Sequence, residues 1–241
     1  MSVRSIINSR FWASFLVLTG VILIIVACEK EELSDPIPPP TVISASFIEE
    51  FDTVGNLEKK GWVIFNNSSP YGSVGWRQGK YELGGKYGND IVGFPAFSAV
   101  YNQNEFVSAD LNAGSGTSTI SCWLITKVIP VKNGDELSFY TRTHGDFPDR
   151  LQVRANFTSS SIDINRGPND VGDFTRILLD INPSLILKDY PNKWTKYTIP
   201  ITGLNSTVNA RFAFHYYVTN GGPNGTNSDM IGIDQMEFKS K

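Results

Sequence analysis

The sequence predicts an all-β protein built from two packed antiparallel sheets, and three observations lead to this prediction. Several segments alternate strictly between apolar and polar residues, which is the pattern of strands with one buried face. Gly and Pro are frequent, at 21 and 13 of 241 residues, and they cluster with Asn and Ser between those segments. No long apolar helical periodicity occurs after residue 30, so neither βαβ units nor a helical bundle is expected.

The clearest alternation places the apolar residues of three segments, 137–141, 150–157 and 209–218, on one face each. Further strands are expected at 42–48, 61–66, 75–83, 96–101, 119–129, 193–200 and 230–238, with turns rich in Asn, Gly and Pro between them. The stretch 174–188 fits either a short helix or another strand, because Asp180, Asn182 and Pro183 interrupt both patterns.

The composition argues against several classes of function. Lys and Arg number 21 and Asp and Glu 24, giving a net charge of −3, so a basic surface for nucleic acid is not expected. The chain has only two Cys residues, Cys28 and Cys122, which cannot form a disulfide framework or a CxxC zinc site. No HExxH motif accompanies the two His residues, so the usual zinc-hydrolase arrangement is absent from the sequence.

The first 27 residues have the pattern of a secretory signal. Arg4 and Arg10 precede an uncharged apolar run over 11–27, which as a helix would be about 25 Å long, short for a membrane span. The sequence Ile25-Val26-Ala27-Cys28 resembles a bacterial lipobox, which implies cleavage before Cys28 and lipidation of that residue. The alternative is an uncleaved anchor helix. We therefore predict attachment to the membrane through acyl chains, which bind more firmly when several are present.

The residues after Cys28 predict a surface-exposed stalk. Glu29-Lys30-Glu31-Glu32 resembles the surface-export signal of Bacteroidota lipoproteins, which implies an outer-membrane protein facing the cell exterior. The alternative is that these charges merely stay hydrated. A Pro-rich run over 35–40 favours an extended linker. The predicted organisation is thus a signal peptide over 1–27, a lipidated Cys and linker over 28–40, and one β-sandwich domain over 41–241.

A series of motifs resembles a known family. In order along the chain they are Phe47-x-x-x-Phe51-Asp52, Gly61-Trp62, Trp76, Trp123-Leu124-Ile125-Thr126, Asp149-Arg150-Leu151-Gln152-Val153-Arg154, Trp194-x-x-Tyr197, Ala210-Arg211-Phe212-Ala213-Phe214 and Gly232-Ile233-Asp234. Together they resemble the choice-of-anchor J or cleaved-adhesin domain, which implies a jelly-roll sandwich related in shape to carbohydrate-binding modules. Two positions depart from the family pattern: Lys127 replaces a usual Pro, and Gln235 replaces a second Asp.

The resemblance also implies a structural Ca²⁺ between the first and last strands. Glu50 and Asp52 near the start of the domain and Asp234 near its end are the candidate ligands, since Ca²⁺ prefers six to eight oxygens. The alternative is that Glu49 and Glu50 are solvated edge charges and that Asp234 accepts local backbone hydrogen bonds.

Catalytic motifs are missing from the sequence. A retaining jelly-roll glycosidase would need a carboxylate pair, but Gly232 stands where its nucleophile would lie. His144, Asp146 and Asp149 could form a loop site, although this spacing is more typical of a capped turn. No Gly-x-Ser-x-Gly motif occurs. We therefore predict that the protein is not an enzyme.

Polar residues on the alternating strands are the candidate ligand contacts: Tyr140, Arg142, Arg154, Arg211, His215 and Tyr217. Aromatic rings with planar hydrogen-bonding groups on one sheet face could bind a sugar or a peptide. A solvated sheet face is the alternative, because antiparallel sandwiches normally have one. The predicted function is a non-catalytic, lipid-anchored surface module for adhesion to glycan or extracellular matrix. The alternative is a glycan-degrading hydrolase or an accessory subunit of a polysaccharide-uptake system.

Overall fold

The computed structural model describes residues 45–81, 93–145 and 147–241, all of which belong to one compact unit, Ile43–Lys241. These residues form thirteen strands: β1 (Phe47–Glu49), β2 (Val63–Asn66), β3 (Ser69–Tyr71), β4 (Arg77–Gln78), β5 (Val107–Asp110), β6 (Gly114–Ile125), β7 (Ile129–Val131), β8 (Glu136–Thr143), β9 (Leu151–Asn156), β10 (Arg176–Ile181), β11 (Thr195–Pro200), β12 (Val208–Gly221) and β13 (Met230–Lys239). Three short 3₁₀ helices, Val54–Asn56, Glu58–Lys60 and Leu111–Ala113, complete the regular elements of the described residues.

The strands form two antiparallel sheets, as the alternating pattern predicts. The first sheet has the order β11-β8-β13-β5-β4, with β1 beside β13. The second has the order β10-β9-β12-β6-β2, with β3 beside β6 and β7 beside β12. The predicted all-β, two-sheet sandwich is confirmed.

The core lies between the sheets and is made by the apolar positions of the alternating strands. Phe139 of β8 and Phe214 of β12 meet edge to face, with ring centroids 5.0 Å apart. Leu137, Val153 and Phe212 are fully buried in the same cluster. Burial of this apolar area is the main favourable contribution to folding. Cys122 is also buried, as expected for a small core residue.

The structure changes two expectations about strands and decides a third that the sequence leaves open. The predicted strand at 96–101 is wrong, because this segment is a loop and the strand lies at Val107–Asp110 instead. The carboxylate of Glu105 accepts hydrogen bonds from the backbone of residues 100–102, so these N–H groups do not join a sheet. Of the predicted strand at 75–83, only Arg77–Gln78 is extended among the described residues, and the ambiguous stretch 174–188 contains strand Arg176–Ile181.

Candidate ligand-binding surface

The loop over 93–106 crosses the outer face of the first sheet. Phe94 and Phe106 stack with centroids 5.2 Å apart, and Trp194 meets each ring edge to face at 5.5 and 5.7 Å. These three residues are named the aromatic cluster. Gly232 lies beneath them in β13, where an added Cβ would come within 2.8 Å of Phe94 and 2.9 Å of Trp194. The missing side chain at Gly232 therefore allows the loop to approach the sheet this closely.

Two buried carboxylates hold the loop in place. Oδ2 of Asp234 accepts hydrogen bonds from the backbone N–H groups of Phe97 and Ser98, at 2.8 and 2.9 Å. Glu105, which is only 1% exposed, accepts from the backbone N–H groups of residues 100, 101 and 102. Burial acts to raise the pKa of Glu105, but these hydrogen bonds outweigh it and keep that pKa below its usual value. The loop backbone is thus held by charge-assisted hydrogen bonds.

The loop presents apolar side chains to solvent. Val100 is 69% and Tyr101 is 83% exposed, and Phe97 is 41% exposed. The ring of Phe97 stacks on Tyr140 of β8, with centroids 3.6 Å apart. The ammonium group of Lys196 lies 5.6 Å from the centroid of the Tyr140 ring. We call Phe97, Tyr101 and Tyr140 the aromatic platform. Exposed rings on a rigid loop are suited to ligand binding.

The six predicted ligand contacts do not come together. Tyr140 and Arg142 lie on the first sheet, in β8, whereas Arg154, Arg211, His215 and Tyr217 lie on the second sheet, in β9 and β12. Of the six, Tyr140 is the one that belongs to the aromatic platform. Arg142 instead supports the aromatic cluster: its guanidinium lies 4.4 Å from the ring centroid of Phe94, and it donates a hydrogen bond to the carbonyl of Asn192 at 2.7 Å.

The four residues on the second sheet bond to its covering segment, 157–175, or to their sheet neighbours. Arg154 donates to the carbonyl of Phe174 at 3.0 Å, Arg211 donates to that of Ser160 at 2.8 Å, and Tyr217 donates to Asn169 at 2.7 Å. These contacts close the outer face of the sheet. The predicted open polar face is therefore covered on this side of the sandwich.

His215 is buried within that covered face. Its ring stacks on Trp123 with centroids 3.7 Å apart, and its Nε2 lies 2.9 Å from Oγ of Ser121. Burial, with the charges of Arg154 and Arg150, lowers the pKa of His215 well below its usual value, so the ring is neutral at pH 7. With 1% of its surface exposed, His215 cannot contact a ligand in this conformation.

The calcium candidates come together only in part. Oε2 of Glu50 is buried and has no hydrogen-bond partner among the described residues, while Oε1 accepts from Gln235 at 3.3 Å. Burial raises the pKa of Asp234 to about 7, and the nearby charge of Glu50 adds to this shift. Asp52 is exposed, and within the described ranges no group of three or more His, Cys, Asp or Glu side chains could hold a metal. Oε2 of Glu50 is thus one oxygen that a cation could use, whereas both oxygens of Asp234 accept backbone hydrogen bonds, from Phe97, Ser98 and Gln235, as the alternative predicts. Asp52 does not join them.

The loop residues His144 and Asp149 belong to an interior hydrogen-bond network. Asp149 is fully buried and accepts hydrogen bonds from Thr143 Oγ1, from Tyr216 Oη at 2.5 Å and from the backbone N–H of Asp229 at 2.9 Å. Burial raises the pKa of Asp149 to about 6 despite these donors. His144 Nδ1 lies 3.6 Å from the carboxylate of Asp229. The arrangement fastens Thr143 and Asp149 to β12 and to the start of β13. Asp146, the other carboxyl group of the predicted loop site, lies outside the described residues.

The predictions for the N-terminal segment fall outside the described residues. These are the signal peptide over 1–27, lipidation at Cys28 and the linker over 28–40. Within the described part of the chain, no helix is both long enough and apolar enough to cross a membrane.

Comparison with known proteins adds evidence on the fold. No protein-family model and no curated protein matches the chain. The solved K2 cleaved-adhesin domain of Lys-gingipain matches 82% of this chain and 99% of its own length, with 16% identity and a TM-score of 0.50. The chain has an adhesin-like β-sandwich fold. The fold that the resemblance implies is confirmed as an adhesin-like β-sandwich, whereas membership of the choice-of-anchor J or cleaved-adhesin family stays a prediction.

Two further structures are similar to this adhesin-like sandwich. The K1 cleaved-adhesin domain of Lys-gingipain from Porphyromonas gingivalis W83 matches 81% of this chain and 98% of its own, with 20% identity and a TM-score of 0.47. The family 11 carbohydrate-binding module of Clostridium thermocellum matches 81% of this chain and 95% of its own, with 12% identity and a TM-score of 0.37.

Proposed function

We propose that this protein is a non-catalytic, lipid-anchored surface module that binds glycan through the aromatic platform. The observation that carries this proposal is the exposure of Phe97 and Tyr101 on a loop that two buried carboxylates hold in place, together with the stacking of Phe97 on Tyr140 of β8. Sugar rings have apolar CH faces that pack on aromatic rings, while their hydroxyl groups take part in hydrogen bonds. A loop that is already ordered loses little conformational entropy on binding.

The anchor and the location are part of the proposal and rest on the sequence. Lipidated Cys28 would attach the protein to the outer membrane, and the acidic residues after it would direct the domain to the cell exterior. A Ca²⁺ ion held by Glu50 and Asp234 would neutralise two neighbouring carboxylates. Since Asp234 also accepts hydrogen bonds from the loop, this ion would stabilise the end of the domain that carries the platform.

Glycan binding by the full-length chain in detergent tests the proposal. After a glycan array identifies a ligand, calorimetry compares Tyr101→Ala with Tyr71→Ala, a matched control because Tyr71 is 64% exposed on β3 and outside the platform. We expect Tyr101→Ala to weaken binding at least tenfold, about 1.4 kcal/mol, and Tyr71→Ala to leave it unchanged. Equal affinity in all three proteins would remove the platform from the site. Release of shorter products from the glycan would instead favour the hydrolase alternative.

A further inference from the structure

Two cations flank the aromatic platform. Lys196 of β11 lies opposite Tyr140 of β8 in register, and its ammonium group is 5.6 Å from the centroid of the Tyr140 ring. Arg142 follows Tyr140 by two residues in β8, so both side chains are on the outer face of the first sheet. The loop over 93–106 contains one charged residue, Glu105, and its side chain is buried. The loop therefore adds two exposed rings to the platform and no exposed acid.

These cations have no acidic partner within the protein. Among residues 45–81, 93–145 and 147–241, neither Lys196 nor Arg142 forms an ion pair with a carboxylate. Arg142 is half-buried and donates to the carbonyl groups of Asn192 and Thr143 instead. Lys196 is exposed and contacts only the ring of Tyr140 among the described residues. The ammonium group of Lys196 is thus available to a ligand.

The acids on this face are engaged elsewhere or lie farther away. Glu136 is within electrostatic range of Lys196 but forms its ion pair with Lys241, at 2.5 Å. Asp234 is on the β13 side of Tyr140, where its carboxylate accepts hydrogen bonds from the backbone of the loop.

Two further acids complete this face. Glu50 lies beside Asp234, and its Oε1 accepts from Gln235 at 3.3 Å. Glu237 lies on β13, two strands away from Lys196. An anionic group that reaches the β11 side of the platform therefore meets Lys196 with no acid directly beside it.

We propose that the ligand of the platform is an acidic glycan, and that a carboxylate or sulfate group of this glycan pairs with Lys196. The inference rests on the proposed function, because it assigns the chemical class of the glycan that the platform binds. A sugar unit that packs its CH face on the rings of Phe97 and Tyr140 carries its substituents past the edge of those rings, towards the ammonium group. Lysine has rotatable donors and can pair with either kind of anion.

Paired glycans test the inference on the full-length chain in detergent. Calorimetry in about 50 mM NaCl compares oligogalacturonate with its methyl ester, and a sulfated galactan oligosaccharide with its desulfated form. We expect the charged member of at least one pair to bind about three- to fivefold more tightly than the neutral member, the range of an exposed ion pair. The preference should disappear in about 1 M NaCl, where the Debye length is about 3 Å. The pair that shows the preference identifies the anion as a carboxylate or a sulfate.

Three variants connect this preference to Lys196. Lys196→Gln should bind both members of the pair equally, whereas Lys196→Arg should keep the preference because it keeps the positive charge. Lys59→Gln is the matched control, since it removes the same charge from an exposed position in the 3₁₀ helix Glu58–Lys60, outside the platform. It should show the preference of the wild type.

Two results would overturn the inference and leave the proposed function intact. In the first, the wild type binds neutral glycans as tightly as their charged forms, or binds neutral glycans alone, while Tyr101→Ala still weakens binding. In the second, Lys196→Gln keeps the full preference of the wild type. Failure of the proposed function is different: either no glycan binds at all, or Tyr101→Ala binds as tightly as the wild type, and the inference then falls with it.

Discussion

Replacing Asp149 by Asn should remove a cost of burying charge. The carboxyl group is fully buried, and burial raises its pKa to about 6. The Asn side chain can keep the same contacts: its carbonyl oxygen replaces the oxygen that accepts from Tyr216 and Asp229, and its amide group faces Thr143 Oγ1. That hydroxyl group can in turn donate to the carbonyl of Met230, at 3.1 Å. The substitution therefore removes the charge and keeps Thr143, Tyr216 and Asp229 hydrogen-bonded.

The size of the effect follows from the pKa shift. An unfolded Asp has a pKa of about 3.9, so between pH 4 and 6 the folded protein binds more protons than the unfolded chain. The contribution of Asp149 to stability is fully present below pH 4 and is lost as the pH rises through 6. A shift of about two units corresponds to roughly 3 kcal/mol. The amide of the Asp149→Asn variant does not titrate, so this variant should be up to that much more stable than the wild type at pH 8 and similar to it at pH 4.

Urea unfolding followed by Trp fluorescence at pH 4, 5, 6, 7 and 8 measures this difference. At pH 8 the midpoint of Asp149→Asn should lie about 1 M higher, for a slope of about 3 kcal/mol/M. Asp234 also titrates in this range, but it is present in both proteins and cancels from the difference. Asp189→Asn, at an exposed position, is the control and should match the wild type throughout. A variant that is destabilised equally at pH 4 and pH 8 would refute the reasoning, because the ionised carboxylate would then not be unfavourable.

Three other predictions concern packing, metal and membrane attachment. Gly232→Ala should lower the free energy of unfolding by about 1–3 kcal/mol, because the Cβ of the alanine would lie 2.8–3.0 Å from the rings of the aromatic cluster. An unchanged urea midpoint would contradict this packing. EDTA should lower the melting temperature of the wild type, and added Ca²⁺ should restore it. In Glu50→Gln the melting temperature should be the same with and without EDTA. Identical wild-type melts with and without EDTA would remove Glu50 and Asp234 as ligands. Cys28→Ser should release the protein from membranes into the soluble fraction, whereas persistent membrane association would favour an uncleaved anchor helix.

Much of the fold could be predicted because strand periodicity is local. The buried face of β12, from Ala210 to Val218, follows directly from its alternation, and so does the buried face of β8. The loop at 96–101 could not be predicted this way. Its apolar residues resemble a strand, but Glu105, a few residues later, takes the backbone N–H groups that a neighbouring strand would need. The sequence feature that could have indicated a loop was Glu105, which ends the short polar run 102–105. That the Glu105 carboxylate is buried is visible only in the structure.

The candidate site was predicted less completely than the fold. Tyr140 is in the aromatic platform, as its outward position in β8 suggested. Phe97 and Tyr101 were missed because they were assigned to a strand. His215 was expected on an open face, and its register position is indeed on the outer side of its sheet, but Phe174 and the rest of segment 157–175 cover it.

By itself the sequence determined the strands with strict alternation, such as β8, β9 and β12, and which of their faces is apolar, because both follow from a two-residue repeat within each segment. It also carried the pattern of the leader and of Cys28, which is a linear signal. Only the tertiary structure decided which outward faces remain accessible. The loops that cover the two sheets lie far along the chain from the strands beneath them, as Phe97 does from Tyr140 and Ile164 from Ala213. Contacts over such distances depend on the packing of the whole sandwich.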